Sequence, residues 1–467
     1  MLVELKEERL RVWRPVYRNL LRVGADALRR LRAHDLLAIL KRHVRDGDGI
    51  RQGVHNVSGV APYRPARKVA LSDLKPSGDR ADLFIFSIVN WHYRRQRPQQ
   101  LAIQFARDRR VFYVEMEPSA NDVEVTEELP SLYRVRLPRQ AGLRVRAYSG
   151  IPAASHRTAF ARAFTAFVAA LAPSATPQLI VQHPFWWPFV ESLAGTHPVV
   201  YDCMDDHSGF PNTSRHTIAL EAALVERASA LVVSSGYLGS LHAGRPDRRV
   251  IRNACDASLL DTCSQEGRWP QRLGGLRESR AGVSQVRVGY VGAISEWLDI
   301  ELLRSVAIRR PDFDFHLCGA PAVAGIEAIS SLPNVRLHGE VGHDEVPAFI
   351  GAMDVMAIPF RITPLTLAVD PIKYYEHCAL GKPTVATALP ELCGGDRPVL
   401  IATDHRQFAD RIAEARSSAA MPGAVAALRE YAAGNTWADR AMAFEATLDD
   451  CGPVSPSPRP WRVPQEA

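Results

Sequence analysis

The sequence predicts an α/β protein built from two doubly wound units. Two observations carry this. Short apolar runs alternate with helical stretches along residues 81–260, and the same alternation restarts near residue 286 after a polar break. Apolar strands spaced by helices are the mark of a parallel sheet covered on both faces. The length of 467 residues also exceeds what one ordinary core needs and suits two such units plus extensions.

In the first unit the strand candidates are D-L-F-I-F-S-I-V, V-F-Y-V-E, Q-L-I-V-Q, P-V-V-Y-D and A-L-V-V-S-S. The helix candidates are residues 98–106, 156–172 and 217–228. A Gly- and Arg-rich stretch near 261–284 reads as a linker. The second unit offers V-R-V-G-Y-V-G, F-D-F-H-L-C-G, N-V-R-L-H-G, D-V-M-A-I-P-F and P-T-V-A-T as strands, with helices expected over 299–309, 344–352 and 371–380. The expected organisation is therefore an extension over 1–80, a first Rossmann-like domain over 81–262, a second over 263–452 with a final helix crossing back to the first domain, and a Pro-rich tail over 453–467 without fixed structure. Open parallel sheets bind ligands at the carboxyl ends of their strands, so two such domains would face each other across a cleft.

Composition excludes several classes. The chain is 46% hydrophobic and 23% charged, ordinary for a globular protein. No apolar run reaches the roughly 18–20 residues of a membrane span, and the charged start MLVELKEERLRVW does not read as a secretory signal. Seven cysteines without a C-x-x-C pair argue against a disulfide framework and a structural zinc site, so a reducing cytoplasm is the expected compartment. The net charge of +6 is uneven: residues 1–80 hold 18 Lys and Arg against 9 Asp and Glu, a local +9 that leaves the remainder at −3. Residues 12–44 suggest a pair of basic amphipathic helices. Such a segment suits the anionic inner face of a membrane or simple packing on the first domain; no nucleic-acid-binding motif accompanies it.

Four constellations carry chemistry. The first is G-Y-V-G-A-I-S, where Gly292 after a strand lets the backbone approach a phosphate at a helix N-terminus and Ser295 offers a hydroxyl. The second is D-P-I-K-Y-Y-E-H-C-A-L-G-K-P. Only six lysines occur in the chain, two of them here, which marks a site wanting a compact ammonium. Lys373 and Glu376 are three apart and share a helix face; the cation suits a diphosphate and the carboxylate suits ribose hydroxyls. A surface Lys–Glu pair is the competing reading. The third is Asp202-Cys203-Met204-Asp205-Asp206 at a strand end, where Asp205 or Asp206 is a candidate general base, with capping as the alternative. His183 in H-P-F-W-W is a second candidate base. The fourth is Asn90–Pro98, N-W-H-Y-R-R-Q-R-P: Trp91 is a candidate sugar-stacking ring, and His92, Arg94 and Arg97 are candidate acceptor ligands, against a solvated loop with Trp91 packed inward.

The second constellation, with N-V-R-L-H-G, D-V-M-A-I-P-F and P-T-V-A-T-A-L-P-E at their intervals, resembles the donor domain of GT-B glycosyltransferases. The nearest resemblance is to bacterial group 1, family-4-like enzymes of teichuronic-acid and exopolysaccharide synthesis. W-H-Y-R-R-Q-R-P-Q-Q-L-A and V-V-Y-D-C-M-D-D agree in the first domain. The resemblance implies a nucleotide-diphosphate sugar as donor substrate, a saccharide or lipid-linked acceptor, and neither cofactor nor metal. Glu376 matches the ribose-holding glutamate, Gly292 the phosphate-loop glycine, and Lys373 the lysine of P-x-K-x-x-E. The usual E-x7-E pattern is broken: Ala368 stands where the first glutamate belongs, and Asp370 is expected to substitute. Two rivals remain open on the sequence. One is a nucleotide-sugar epimerase, which needs an acid–base set around the sugar. The other is a non-enzymatic basic scaffold.

Overall fold

The computed structural model describes residues 66–75, 78–139, 152–210, 212–265 and 285–452, all within one compact unit of residues 63–467. The expected helix pair over 12–44, most of the linker and the tail lie outside the described residues.

Fifteen strands are described. In the first sheet they are β1 (Arg67–Lys68), β2 (Leu83–Phe86), β3 (Val111–Val114), β4 (Glu124–Leu129), β5 (Leu132–Arg136), β6 (Gln178–Val181), β7 (Val199–Cys203), β8 (Ala230–Val233) and β9 (Arg249–Val250), in the order β1-β4-β5-β3-β2-β6-β7-β8-β9. All neighbours run parallel except β1/β4 and β4/β5. The second sheet holds β10 (Val286–Val291), β11 (Phe313–Cys318), β12 (Val335–Gly339), β13 (Val355–Ile358), β14 (Thr384–Thr387) and β15 (Leu400–Ala402), all parallel, in the order β12-β11-β10-β13-β14-β15. Strand order reverses between β10 and β13, the switch point at which such sheets take their ligands.

Helix α1 (Arg97–Phe105) opens with Pro98 in its first turn and a Gln96/Gln99 capping box. Helix α2 (Ala154–Leu171) lays Phe160, Phe164, Phe167 and Leu171 on one face of the first sheet, against Phe84, Phe86 and Trp186. Helix α3 (Arg215–Arg227) follows β7. In the second domain come α4 (Ile300–Arg309), α5 (Ile372–Ala379), α6 (His405–Ser418) and α7 (Ala424–Ala433). The final helix, α8 (Trp437–Asp449), returns to the first sheet. Its Trp437, Phe444 and Leu448 join Leu83, Ile85, Leu101 and Phe105 in one core, with Phe105 and Phe444 rings 5.7 Å apart. Among the described residues no helix is long and apolar enough to cross a membrane.

The β4/β5 hairpin was not anticipated. Its β4 strand, E-V-T-E-E-L, is too acidic to read as a buried strand; Glu128 is inside because it pairs with Arg134 and with His92.

The passage between the domains, Ile251–Asn253, is clamped from both sides. The Arg97 guanidinium holds Asp202 through two nitrogens, at 2.8 and 3.0 Å, and donates to the carbonyls of Ile251 (2.8 Å) and Arg252 (3.3 Å). From the second domain, the Asp370 carboxylate accepts from the Asn253 amide at 2.6 Å and the Asn253 side chain donates to the Asp370 carbonyl at 2.6 Å. Arg397 stands 3.6 Å from both Asp370 and Glu391, and Glu391 in turn accepts from Arg252 and the Gly236 amide. Arg97, Asp202 and Asp370 are almost wholly buried. Buried charges stay only where each is paired, and removing one partner strands the other. Arg97→Met is therefore expected to cost about 3–5 kcal/mol in urea unfolding, by leaving Asp202 unpaired in the core. A loss below about 1 kcal/mol, the range of an exposed ion pair, would show that the clamp does not hold the domains.

Candidate active site

The site sits where β10, β11 and β12 end. Gly292, just past β10, has φ +138, and its amide donates to the Cys318 carbonyl at 2.9 Å. A Cβ on Gly292 would lie 2.6 Å from the Lys373 ammonium, and one on Gly319 would lie 1.9 Å from the Gly292 carbonyl. Two glycines thus let two strand ends touch and leave a notch that Lys373 fills.

Lys373 reaches that notch from the first turn of α5. Its Nζ lies 4.5 Å from the Tyr290 ring centroid, 4.8 Å from that of Phe360, and 3.5 Å from the Tyr290 hydroxyl. Two aromatic faces hold the ammonium without neutralising it. Burial pushes its pKa down to about 8, with Glu376 opposing and Arg94 adding to the fall. Glu376 lies one turn further along α5. Among the described residues its carboxylate meets no hydrogen-bond donor, and burial pushes it up to about 7 against the pull of Lys373. Both side chains are half-buried, and a carboxylate beside an ammonium with each pushed toward neutrality suits a polar ligand.

The other expected residues fall into two groups. Arg94 faces the site: its Nε donates to Glu340 at 2.8 Å, and Glu340 directly follows β12. Asp205 is half-buried, and burial together with the neighbouring Asp206 charge pushes its carboxyl up to about 6. Asp206 caps the His207–Gly209 turn, accepting from the Ser208 amide at 2.9 Å. That turn packs on the short helix Pro364–Leu367 of the second domain. The remaining residues are turned away. Trp91 is buried against Tyr113, ring centroids 5.2 Å apart, and is not free to stack on a sugar. Arg97 belongs to the interdomain clamp rather than to an acceptor. Asp370, expected to replace the missing glutamate, is consumed there too, with Tyr375 donating to it at 3.1 Å. His92 pairs with Glu128 at 3.4 Å. His183 is fully buried in the first domain; its Nδ1 accepts from the Phe185 amide at 3.0 Å, and burial followed by the neighbouring His207 lowers its pKa, so it is enclosed and a weak proton acceptor. The Ser295 hydroxyl is given to Glu296 at 2.7 Å.

Sequence reasoning missed Glu340, Gly319 and the Tyr290/Phe360 box. Their signal was present: F-D-F-H-L-C-G and N-V-R-L-H-G both end in glycine, and Tyr290 near the end of β10 and Phe360 just past β13 stand at the switch point. Metal-ligating atoms of Cys203, Glu221 and His242 lie within 4.8 Å of one another. They already form a hydrogen-bonded set, with Tyr201 donating to Glu221 at 2.8 Å and the Cys203 thiol 3.7 Å from the Asp205 carbonyl.

Two Rossmann-like sheets, with a final helix returning to the first, constitute the GT-B fold. Solved structures agree. A sucrose-phosphate synthase from Thermosynechococcus elongatus superposes with TM-score 0.59 at 16% identity, covering 79% of this chain and 98% of that one. An E. coli trehalose-6-phosphate structure bound with UDP-2-fluoro glucose gives 0.57 at 11%, covering 80% and 100%. Residues 285–417 match the family model described as "Glycosyl transferases group 1". A Bacillus subtilis protein described as a teichuronic acid biosynthesis glycosyltransferase is 28% identical over 229 residues, 45% of this chain. The match spans 56%, little more than half, of that relative. The resemblance to bacterial group 1 glycosyltransferases holds in the domain that carries Gly292, Lys373 and Glu376.

The two shifted groups titrate in opposite senses. A carboxylate raised to about 7 becomes charged as pH rises, and an ammonium lowered to about 8 loses its charge above that. Affinity for a nucleoside diphosphate is expected to climb through pH 7 and fall above pH 8. Glu376→Gln should remove the acid limb and Lys373→Met the alkaline one. Calorimetric profiles identical in shape for all three proteins would contradict the assignment.

Proposed function

We propose that this protein is a glycosyltransferase. A nucleoside diphosphate sugar lies at the carboxyl edge of the second sheet, and its sugar passes to a hydroxyl of a saccharide or lipid-linked acceptor on the first domain, a step in building a surface polysaccharide. The observation that carries the reading is the Lys373 ammonium seated in the Cβ space of Gly292, with the unpaired Glu376 one turn away. The cation and the close backbone approach that Gly292 allows suit a diphosphate, and the carboxylate suits two ribose hydroxyls. The group 1 match over this domain and a fold neighbour bound with a UDP sugar support it.

In the transfer, the bond from the sugar's anomeric carbon to the diphosphate oxygen breaks and a bond to the acceptor oxygen forms. The leaving diphosphate carries the new negative charge, which fixed cations and dipoles stabilise without a metal. The acceptor hydroxyl's proton goes to Asp205 or to the departing phosphate; a carboxyl near pKa 6 is suited to that task at neutral pH.

Glu376→Ala should weaken a nucleoside diphosphate by about 2–3 kcal/mol, the worth of charge-assisted hydrogen bonds. Lys373→Ala should weaken the diphosphate more than the nucleoside. Turnover should survive a chelator. Unchanged affinity in both variants would remove the donor site, and activity lost to chelation and restored by Mg²⁺ or Mn²⁺ would overturn the metal-free scheme.

Residues 1–80 extend the proposal to location. Their charge of +9 suits an anionic membrane face, at roughly 1 kcal/mol per basic residue near the surface. This would set a cytoplasmic enzyme beside a lipid-linked acceptor. The full chain should sediment with anionic vesicles at low salt and release at high salt; equal behaviour with neutral vesicles would remove the membrane role alone.

A further inference from the structure

Arg94 is the cation that the first domain brings to this edge. Its backbone is fixed: the Gln99 side chain donates to the carbonyls of Asn90, Trp91 and Arg94 at 3.4, 3.5 and 3.2 Å, and Trp91 is buried beneath. Its side chain crosses to Glu340. Glu340 belongs to the same rim as the phosphate notch. The Gly319 amide donates to the Gly339 carbonyl at 2.8 Å, and the Gly292 amide donates to the Cys318 carbonyl at 2.9 Å, so the ends of β10, β11 and β12 form one continuous ledge. Arg94 lies near enough to Lys373 for its charge to disfavour the ammonium.

The Arg94–Glu340 pair is exposed, with 38% and 54% of the two side chains accessible. Such pairs contribute little and exchange readily. A diphosphate carries more charge than one carboxylate and offers a guanidinium two parallel acceptors. Two like charges, Arg94 and Lys373, disfavour each other and are reconciled by an anion between them.

We propose that Arg94 is the second cation of the diphosphate site, delivered across the cleft by the first domain, and that its pairing with Glu340 is the resting position it leaves when the ligand arrives. The inference rests on the donor-site reading and adds to it a domain-crossing contact.

The test uses the full chain and whichever of UDP, GDP or ADP raises its melting temperature most, with the matching monophosphate and inorganic phosphate as further probes. Arg94→Ala should weaken the diphosphate roughly 10- to 100-fold, the range of a charge-assisted hydrogen bond. It should weaken the monophosphate less and leave the ligand-free melting temperature unchanged. Arg94→Lys should recover part of the loss, and Glu340→Gln should tighten diphosphate binding by freeing the arginine. If Lys373→Ala weakens the diphosphate and Arg94→Ala does not, the donor site stands and this inference falls. If Arg94→Ala instead weakens inorganic phosphate bound alongside saturating diphosphate, the arginine serves a phosphate on the acceptor and the inference also falls. If none of the nucleotides binds the unmodified chain, both readings fail together.

Discussion

The Arg97–Asp202 ion pair is the contact on which the rest of the molecule depends. Arg97 opens the first helix and Asp202 lies near the end of strand β7, so the pair first ties a helix of the first domain to its sheet. Its remaining donors go to the chain that leaves for the second domain, and Asp370 grips Asn253 of that chain from the other side. A charge that seals one core thereby fixes the angle between two. Burying a guanidinium and two carboxylates is unfavourable unless every hydrogen bond is made, and here the backbone of residues 251–253 supplies the missing acceptors and donors.

The donor edge obeys the opposite rule. Where the clamp satisfies its charges completely, the site leaves them incomplete: among the described residues Glu376 meets no donor, and Lys373 has two aromatic faces and one long contact to the Tyr290 hydroxyl. Both are driven toward neutrality by burial, the lysine downward and the glutamate upward. Structure elsewhere pays for this frustration, which a ligand carrying hydroxyls and phosphates would relieve. The turn from His207 to Gly209 packs on Pro364–Leu367, and Ala368 enters the first domain's core, so the loop before α5 is positioned by the domain across the cleft.

The two sheets were legible because most of their central strands, such as L-F-I-F, V-F-Y-V, A-L-V-V and V-M-A-I, are short apolar runs that a doubly covered sheet buries. Lys373 was legible through the scarcity of lysine, and Gly292 through its place after a strand. The arginines were not. W-H-Y-R-R-Q-R-P presents Arg94 and Arg97 as equals, yet one turns outward to Glu340 and the other inward to Asp202, because helix α1 begins at Arg97 and fixes its direction. Asp370 likewise read as a ligand since its true partner, Asn253, lies 117 residues away. Sequence spacing reports neighbours along one element; charges that bridge domains leave no such trace. The β4/β5 hairpin was hidden because its acidic strand is made tolerable by Arg134 on the paired strand and by His92 from the loop after β2.

The central claim is that the ledge at Gly292, Lys373 and Glu376 holds a nucleotide diphosphate. A crystal structure of the full chain soaked with the best-stabilising nucleoside diphosphate tests it most directly. Phosphate oxygens are expected beside the Gly292 backbone and the Lys373 ammonium, with both ribose hydroxyls on Glu376. A nucleotide bound elsewhere, with Glu376 still unpaired, would contradict it.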